Sequence, residues 1–410
     1  MMFEKRKAKR NTARRGLFVL ACAAVLAWLW PMNAGANGRY PQSNQIGVAP
    51  SDSNLFVART TYGLLVTHDH GKYWDWVCES AYGFSVLNLD PSVGLTQGNA
   101  LVLGKYDGLT VSSDTGCSWS NAPMFDQQYV SDLVVRPDDT HTTLAATSNS
   151  FIPEAGGLAY SSQVYQSADD GRTWTTLGRA LDSTWFIDTL EVAASDRHRI
   201  YATGSNTALK QTALLVSTND GQTWSTYILP TDPVNEPAAF IGAVDPNNPD
   251  RVYIRTGGAA LLQAPDGGFY YPPSRLLVTD NGGKSVHAVV KLGGQMLGFA
   301  LSVDGGRVFV GGVEDGLLAA STSDFVFARR SSIHVLCLRA TQTELWACSD
   351  EASGFTLGAS SNEGAVQLQG TRILPVVHGP THGADGGQFD RGGLAQSGIA
   401  PMGTDTALSD

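Results

Sequence analysis

An eight-residue motif recurs along the chain and constrains its fold more than any other feature. Its template has Ser or Thr at position one, Asp or Asn at three, Gly at five and Trp at eight. Four octets fit it fully and three are degenerate, and in chain order the seven begin at Thr67, Ser112, Ser167, Ser217, Thr279, Ser321 and Ser360. The starts are 45, 55, 50, 62, 42 and 39 residues apart. Such periods are typical of four-stranded propeller blades.

The segments between the octets carry the matching strand pattern. Residues 46–67, IGVAPSDSNLFVARTTYGLLVT, contain two short apolar runs around a Pro/Asp turn, then a glycine turn and a third run that enters the octet. A further apolar run follows each octet, so each unit has four strands, labelled A to D from the inside outward. The sequence therefore predicts an all-β chain, a seven-bladed β-propeller of four-stranded antiparallel blades over residues 37–372.

The octet has a structural rationale at a C–D hairpin. An Asp or Asn side chain accepts hydrogen bonds from the amides of its own turn, the glycine adopts a positive φ, and the tryptophan covers the hairpin. Calcium binding by Asp69, Asp114 and Asp169 is the alternative. The residues assigned this structural role are Asp69, Gly71, Trp74, Asp114, Gly116, Trp119, Asp169, Gly171, Trp174, Asn219, Gly221, Trp224, Asn281, Gly283, Asn362 and Gly364.

These octets resemble the Asp-box, or bacterial neuraminidase repeat, over residues 44–370. The resemblance implies a propeller and leaves the activity open, because sialidases, the sortilin ectodomain, xyloglucan-degrading glycosidases and photosystem II assembly factors share the repeat. The chain is most similar in style to the noncatalytic sortilin-like and assembly-factor-like propellers. Sialidases carry an Arg-Ile-Pro segment before the first box, whereas this chain has only Arg59 there, without Ile-Pro. The strings FIPE at Phe151 and RILP at Arg372 are misplaced, which argues against a sialidase.

The first 36 residues have the pattern of an export signal. Seven basic residues between Lys5 and Arg15 precede the apolar run Gly16–Trp30, and Ala34-Gly35-Ala36 offers a cleavage site. An uncleaved membrane anchor is the alternative, and a lipoprotein at Cys22 is a weaker one. Cleavage after Ala36 would leave 21 basic and 37 acidic residues, a net charge of −16. We expect a secreted or periplasmic, monomeric protein that binds no nucleic acid and no membrane once cleaved.

Four cysteines follow the signal segment, and an even number in an exported chain favours disulfides. Cys337 and Cys348 fall on strands A and B of blade seven, at similar distances from a turn near Thr341, so a cross-strand disulfide is predicted. Cys78 and Cys117 would then pair by elimination and join blades one and two.

Antiparallel order places the A–B turns and octets on one face and the B–C loops and D–A connections on the other. Propellers usually bind partners on the second face. Two B–C loops are long, residues 148–163 and 256–275, and exposed aromatics beside carboxylates suit sugars or peptides. The alternative is that these rings pack within the protein. The candidate ligand-binding residues are Tyr82, Phe125, Phe151, Glu154, Tyr160, Trp185, Phe186, Asp266, Phe269, Tyr270 and Tyr271.

No phosphate loop, nucleophile elbow or metal-binding helix motif is visible, and His68 and His70 occupy variable octet positions. We therefore predict a noncatalytic binding or scaffold protein without cofactor or metal, whose ligand is a glycan or a protein segment. A polysaccharide-active glycoside hydrolase is the alternative, because sequence alone cannot show whether two carboxylates converge. Residues 373–410, rich in Gly, Asp and Ser, are expected to be a disordered tail.

Overall fold

The computed structural model describes residues 42–83, 90–154, 156–257, 262–263, 269–350, 357–361 and 369–370, and only the backbone of 262, 263, 269, 369 and 370. The predicted signal segment, the C-terminal tail, Asp266, Asn362 and Gly364 lie outside these ranges. Among the described residues, no helix is long and apolar enough to cross a bilayer.

Seven four-stranded antiparallel sheets follow one another along the chain, each built from consecutive strands. Blade five carries an inserted two-stranded hairpin, and two short 3-10 helices, Glu79–Tyr82 and Pro123–Phe125, lie in D–A connections. The strands are, in blade one, β1 (Ser43–Val48), β2 (Phe56–Thr60), β3 (Gly63–Thr67) and β4 (Asp75–Val77); in blade two, β5 (Ser92–Leu95), β6 (Leu101–Lys105), β7 (Gly108–Ser112) and β8 (Ser120–Asn121); in blade three, β9 (Val130–Val135), β10 (Thr143–Phe151), β11 (Ala159–Ser167) and β12 (Thr175–Leu177); in blade four, β13 (Phe186–Ala193), β14 (Asp196–Asn206), β15 (Gln211–Ser217) and β16 (Ser225–Ile228); in blade five, β17 (Ala238–Val244), β18 (Val252–Gly257), the inserted β19 (Leu262–Gln263) and β20 (Phe269–Tyr270), β21 (Arg275–Thr279) and β22 (His287–Lys291); in blade six, β23 (Gly298–Leu301), β24 (Arg307–Gly312), β25 (Gly316–Ser321) and β26 (Ala328–Ser331); and in blade seven, β27 (Cys337–Ala340), β28 (Leu345–Cys348), β29 (Leu357–Ser360) and β30 (Gln369–Gly370).

The blades form a closed ring. The first strand of each blade contacts the first strands of both neighbours, and β1 of blade one contacts β27 of blade seven. A backbone bridge between Gln42 and Asp350 also crosses this last junction. The predicted seven-bladed propeller is therefore confirmed, with strand A innermost around the axis.

The apolar core is divided among the seven junctions between blades. Each junction holds its own cluster of buried side chains, such as Leu144 and Val164 of blade three against Leu190 and Leu215 of blade four. Equivalent clusters fill the other six junctions. Face-to-face burial of neighbouring sheets thus stabilises the ring, as expected when one repeat cannot bury its apolar face alone.

Every octet begins on the last residue of strand C, as predicted for a C–D hairpin. In the first five octets, the hydroxyl at position one donates to the side chain at position three over 2.7–3.1 Å. That hydroxyl accepts the amide of position five, and the position-three side chain accepts the amide of position seven. Position four also has a positive φ, in His70, Thr115, Asp170, Asp220 and Gly282. The turn therefore needs two consecutive residues with positive φ, at positions four and five.

The octet also seals the junction with the preceding blade, a role that the sequence did not indicate. The Trp174 indole donates to Gly171 O at 2.9 Å, and its ring packs with Val102 and Val111 of blade two. A Cβ on Gly171 would lie 3.0 Å from Val102 Cγ2. Glycine is therefore required there both by its φ of 84° and by close approach.

Degenerate octets fill the same space differently. In the fifth octet, Val286 stands at the tryptophan position and packs at the junction with blade four. In the sixth, Phe325 replaces the glycine, adopts a φ of 52° and packs against Tyr253 of blade five. Loss of the tryptophan therefore leaves the junction apolar and filled.

Cys337 and Cys348 are cross-strand partners and form the predicted disulfide. The predicted Cys78–Cys117 disulfide is wrong, because both residues are free thiols. Val77 of β4 faces Gly116, whereas the next residue, Cys78, turns away and places its Sγ 3.1 Å from Ser80 Oγ.

Candidate functional site

The two faces of the ring differ in their loops. The A–B turns and the octets share one face, the octet face, where the His70 amide donates to Asn54 O and the Gly282 amide donates to Asp250 O. The B–C loops and D–A connections lie at the other ends of the strands and form the upper face. This arrangement follows from antiparallel strand order.

Exposed apolar side chains are concentrated on the upper face. Fourteen large hydrophobic side chains among the described residues are exposed, and ten of them lie in upper-face loops and connections. The ten are Tyr106, Met124, Phe151, Ile152, Leu158, Leu209, Val234, Tyr270, Tyr271 and Leu297. Exposed apolar side chains are therefore distributed unevenly between the two faces.

The most prominent element of this face is the β10–β11 hairpin of blade three. Its nine-residue strands pair from Thr143–Ser167 out to Phe151–Ala159, so most of the predicted 148–163 loop is strand. Its tip exposes Phe151 by 44%, Ile152 by 78% and Leu158 by 52%, beside the exposed Glu154. A rigid support thus presents an apolar tip.

Four aromatic rings form a row on the upper face of blades two to four. Tyr106 lies 5.4 Å from Tyr129, Tyr129 stacks at 5.9 Å on Phe186, and Tyr160 meets Phe186 edge-on at 5.5 Å. Of these rings, sequence reasoning had identified Tyr160 and Phe186. The row braces three blades against one another and leaves Tyr106 exposed.

The prediction of exposed aromatics is wrong for four residues. Tyr82, Phe125, Trp185 and Tyr160 are at most 8% exposed. Tyr82 packs edge-on against Trp119, and Phe125 packs against Trp174 and Tyr165. The sequence placed these rings in connections, but it does not show that the connections fold down over the junctions.

Three carboxyl groups on the inner strands were missed by the sequence reasoning. Asp132 accepts the Leu190 amide of the next blade at 2.9 Å, and burial raises its pKa to about 6. Burial raises the pKa of Asp188 to about 7 and, together with nearby Asp132, that of Glu191 to about 8. Their presence could have been detected in the sequence, because acidic residues interrupt the otherwise apolar strands VSDLVV and FIDTLEVA.

Asp188 is hydrogen-bonded less completely than Asp132. Ser205 Oγ donates to its Oδ1 at 3.4 Å, and its buried Oδ2 has no hydrogen-bond partner among the described residues. The residue sits at an irregularity in the pairing of β13 with β14. Bulges of this kind re-aim side chains. The Asp188 carboxylate lies close enough to Tyr129 that it adds to burial in raising the pKa of the Tyr129 hydroxyl.

A polar groove of about 540 Å³ lies on the upper face between blades four and five. Tyr270, one of the predicted ligand-binding residues, lines it together with Glu236, Arg275 and Lys291. Tyr271 is similarly exposed but does not line the groove. Of the other predicted residues here, Phe269 is described by its backbone alone.

The described residues contain no cluster of three or more His, Cys, Asp or Glu side chains suited to a metal ion. Asp69, Asp114 and Asp169 direct their oxygens at their own turns. The His70 ring lies 2.7 Å from Ser53 O and 2.8 Å from Glu344, across the junction of blades one and seven.

The sequence matches no protein-family model and no curated protein at a significant level. Solved structures share the fold. Hydrazine synthase of Kuenenia stuttgartiensis aligns with a TM-score of 0.55 at 10% identity, over 83% of this chain and 99% of that one. YCF48 bound to D1 peptide aligns with a TM-score of 0.47 at 12% identity, over 76% of this chain and 90% of that one. An ancestral GH74 enzyme aligns with a TM-score of 0.40 at 14% identity, over 81% of this chain but only 61% of that one. At 10% identity the likeness to hydrazine synthase shows the fold alone.

Proposed function

We propose that this protein is a noncatalytic binding propeller that docks a protein segment on its upper face. The observation that carries the proposal is the concentration there of ten of fourteen exposed large hydrophobic side chains. On a soluble surface such side chains are costly to leave in water, so their one-sided placement favours a partner that covers them.

The tip of the β10–β11 hairpin is the proposed anchor. Full burial of an aliphatic or aromatic side chain stabilises a complex by about 1.5–3 kcal/mol relative to exposure. Phe151, Ile152 and Leu158 together can therefore provide a central hydrophobic contact. The long ladder beneath them lowers the conformational entropy lost on binding.

We further propose that the protein acts outside the cytoplasm, in the envelope or beyond it. Two observations support this location. Residues 1–36 have a signal pattern, and the Cys337–Cys348 disulfide is a bond that persists in oxidising compartments. N-terminal sequencing of the exported protein should give Asn37 as its first residue, whereas an intact Met1 would contradict cleavage.

The docking proposal is tested with a matched pair of variants. The protein is used to capture partners from envelope extract, the enriched partner is purified, and its Kd is measured for Ile152→Asp and Val326→Asp. Both side chains are more than 70% exposed, but Val326 lies in an octet. We expect Ile152→Asp to weaken binding at least tenfold and Val326→Asp to leave it unchanged. Equal effects of the two variants would contradict upper-face docking.

The glycoside hydrolase alternative has one observation in its favour. Asp188 and Glu191 have pKa values raised to about 7 and 8, and a general acid must hold its proton near neutral pH. Incubation with a panel of polysaccharides separates the two functions. Release of reducing ends that disappears in Asp188→Asn or Glu191→Gln would replace the noncatalytic proposal.

A further inference from the structure

The groove between blades four and five lies apart from the hairpin tip. Its walls are the connection around Pro230–Glu236, the end of the inserted hairpin at Tyr270, and the facing ends of β21 and β22. Its lining is mainly polar, so it suits a hydrophilic ligand better than the apolar segment proposed for the hairpin.

An ion pair between the partly exposed Arg275 and the buried Glu236 fixes the floor of this groove. Arg275 Nε donates to Glu236 Oε1 at 2.6 Å, its Nη2 also pairs with Glu236 Oε2, and Glu236 is 4% exposed. Thr256 donates to the same carboxylate at 2.8 Å, and Glu236 Oε2 accepts the Asp232 amide at 3.0 Å. Charge-assisted bonds of this density hold the connection rigidly, as a preorganised site requires.

The groups left open to the groove form a recognisable set. The Tyr270 ring is 42% exposed and offers a flat apolar face. Lys291 pairs directly with Arg275 across β21 and β22, and its ammonium has no ion-pair partner among the described side chains. Asp232 and Asn235 line the same groove, and their side chains are hydrogen-bonded to each other. Hydrogen bonds from the backbone amides of Asn235 and Val234 and from the Asn235 side chain lower the pKa of Asp232, so it is ionised.

We propose that this groove binds an oligosaccharide containing a uronic acid. A sugar ring stacks on Tyr270, its carboxylate pairs with the Lys291 ammonium, and its hydroxyl groups donate to Asp232 and accept from the Asn235 amide. A volume of about 540 Å³ falls within the range of small-molecule sites. This assignment goes beyond the proposed docking of a protein segment and does not depend on it.

The probes are trigalacturonic acid and its methyl ester, in which each charged carboxylate is replaced by a neutral ester that carries one additional methyl group. Binding to the whole protein is measured by calorimetry or by NMR titration. We expect the acid to bind at least fivefold more tightly than the ester. Lys291→Gln should abolish that difference, and Tyr270→Ala should weaken both probes at least tenfold. Equal binding of acid and ester by the unaltered protein would overturn the uronate assignment.

Tyr271→Ala is the matched control, because Tyr271 is 45% exposed, adjacent to Tyr270 and outside the groove. It should bind both probes like the unaltered protein, and an equal loss in Tyr270→Ala and Tyr271→Ala would overturn the site. Ile152→Asp should also leave sugar binding unchanged. Loss of partner docking with intact sugar binding, or the reverse, shows which of the two proposals fails.

Discussion

At the residue scale, the position of an aspartate on the ring decides its protonation. Burial opposes ionisation of Asp169, but hydrogen bonds from the Thr173 amide and hydroxyl outweigh it and lower the pKa. Asp188 has no comparable donors, and burial raises its pKa to about 7. The turn of the octet thus donates hydrogen bonds that stabilise the ionised carboxylate, whereas the inner strand provides no comparable donors to Asp188.

Asp188→Asn should be more stable than the unaltered protein at high pH. Because the folded-state pKa is raised, the fold retains a proton that the unfolded chain loses, and stability falls as pH rises from about 4 through about 7. The variant lacks this loss of stability, so its Tm advantage should grow by several degrees between pH 4 and pH 8. Thermal unfolding across this range measures it, and a pH-independent difference would contradict the assignment.

Gly171 and Gly156 have similar φ but different surroundings, so substitutions at the two positions distinguish the cost of backbone strain from the cost of steric contact. Gly171 has a φ of 84° and a tightly packed neighbour, whereas Gly156 has a φ of 81° and nothing within 4 Å of the place that a Cβ would occupy. Gly156→Ala should cost about 1 kcal/mol, and Gly171→Ala about 2–4 kcal/mol. Urea denaturation measures both. Equal losses in the free energy of unfolding would show that the contact with Val102 adds nothing to the cost of the Gly171 substitution.

At the element scale, hairpins could be predicted and their packing partners could not. The octet places a turn after strand C because hydroxyl, carboxylate and glycine chemistry is local. The contact of Trp174 with blade two depends on which blade its ring faces, and no local pattern encodes that direction. The same limit explains Tyr82 and Phe125, which were assigned to a surface and lie in junctions. The polar groove depends on residues as far apart as Glu236 and Lys291.

The Cys337–Cys348 disulfide should stabilise the fold through the short loop that it closes. Loop-closure entropy for a separation of 11 residues corresponds to about 2–3 kcal/mol. The double variant Cys337→Ala/Cys348→Ala should lose that much in guanidinium unfolding. Cys78→Ala/Cys117→Ala removes two free thiols and should change stability by less than about 1 kcal/mol. Equal losses would mean that the disulfide contributes nothing beyond packing.

At the scale of the whole molecule, side-chain packing between blades one and seven closes the ring. Trp346 is 1% exposed, lies 4.7 Å from the Phe56 ring and packs against Gly71 of the first octet. The Glu344–His70 contact and the Gln42–Asp350 bridge complete the junction. No strand is exchanged between the two blades in the described part of the chain, and the disulfide lies within blade seven.

Trp346→Ala should loosen this junction specifically. Removal of a large buried aromatic side chain costs about 3–5 kcal/mol. Hydrogen exchange should accelerate in blades one and seven, while the junction of blades three and four stays protected. Trp185→Ala, which empties that other junction, should give the opposite pattern. Uniform acceleration in both variants would show that the ring opens only as a whole.

The arrangement of the closing junction also governs how the chain is made. Phe56 precedes Trp346 by 290 residues, and synthesis at about 5–20 residues per second separates them by roughly 15–60 s. During that interval the nascent first blade exposes the apolar side that blade seven later covers, and such a surface is prone to aggregation. We therefore expect the first blade to remain open to aggregation until the last blade has been synthesised and packed against it.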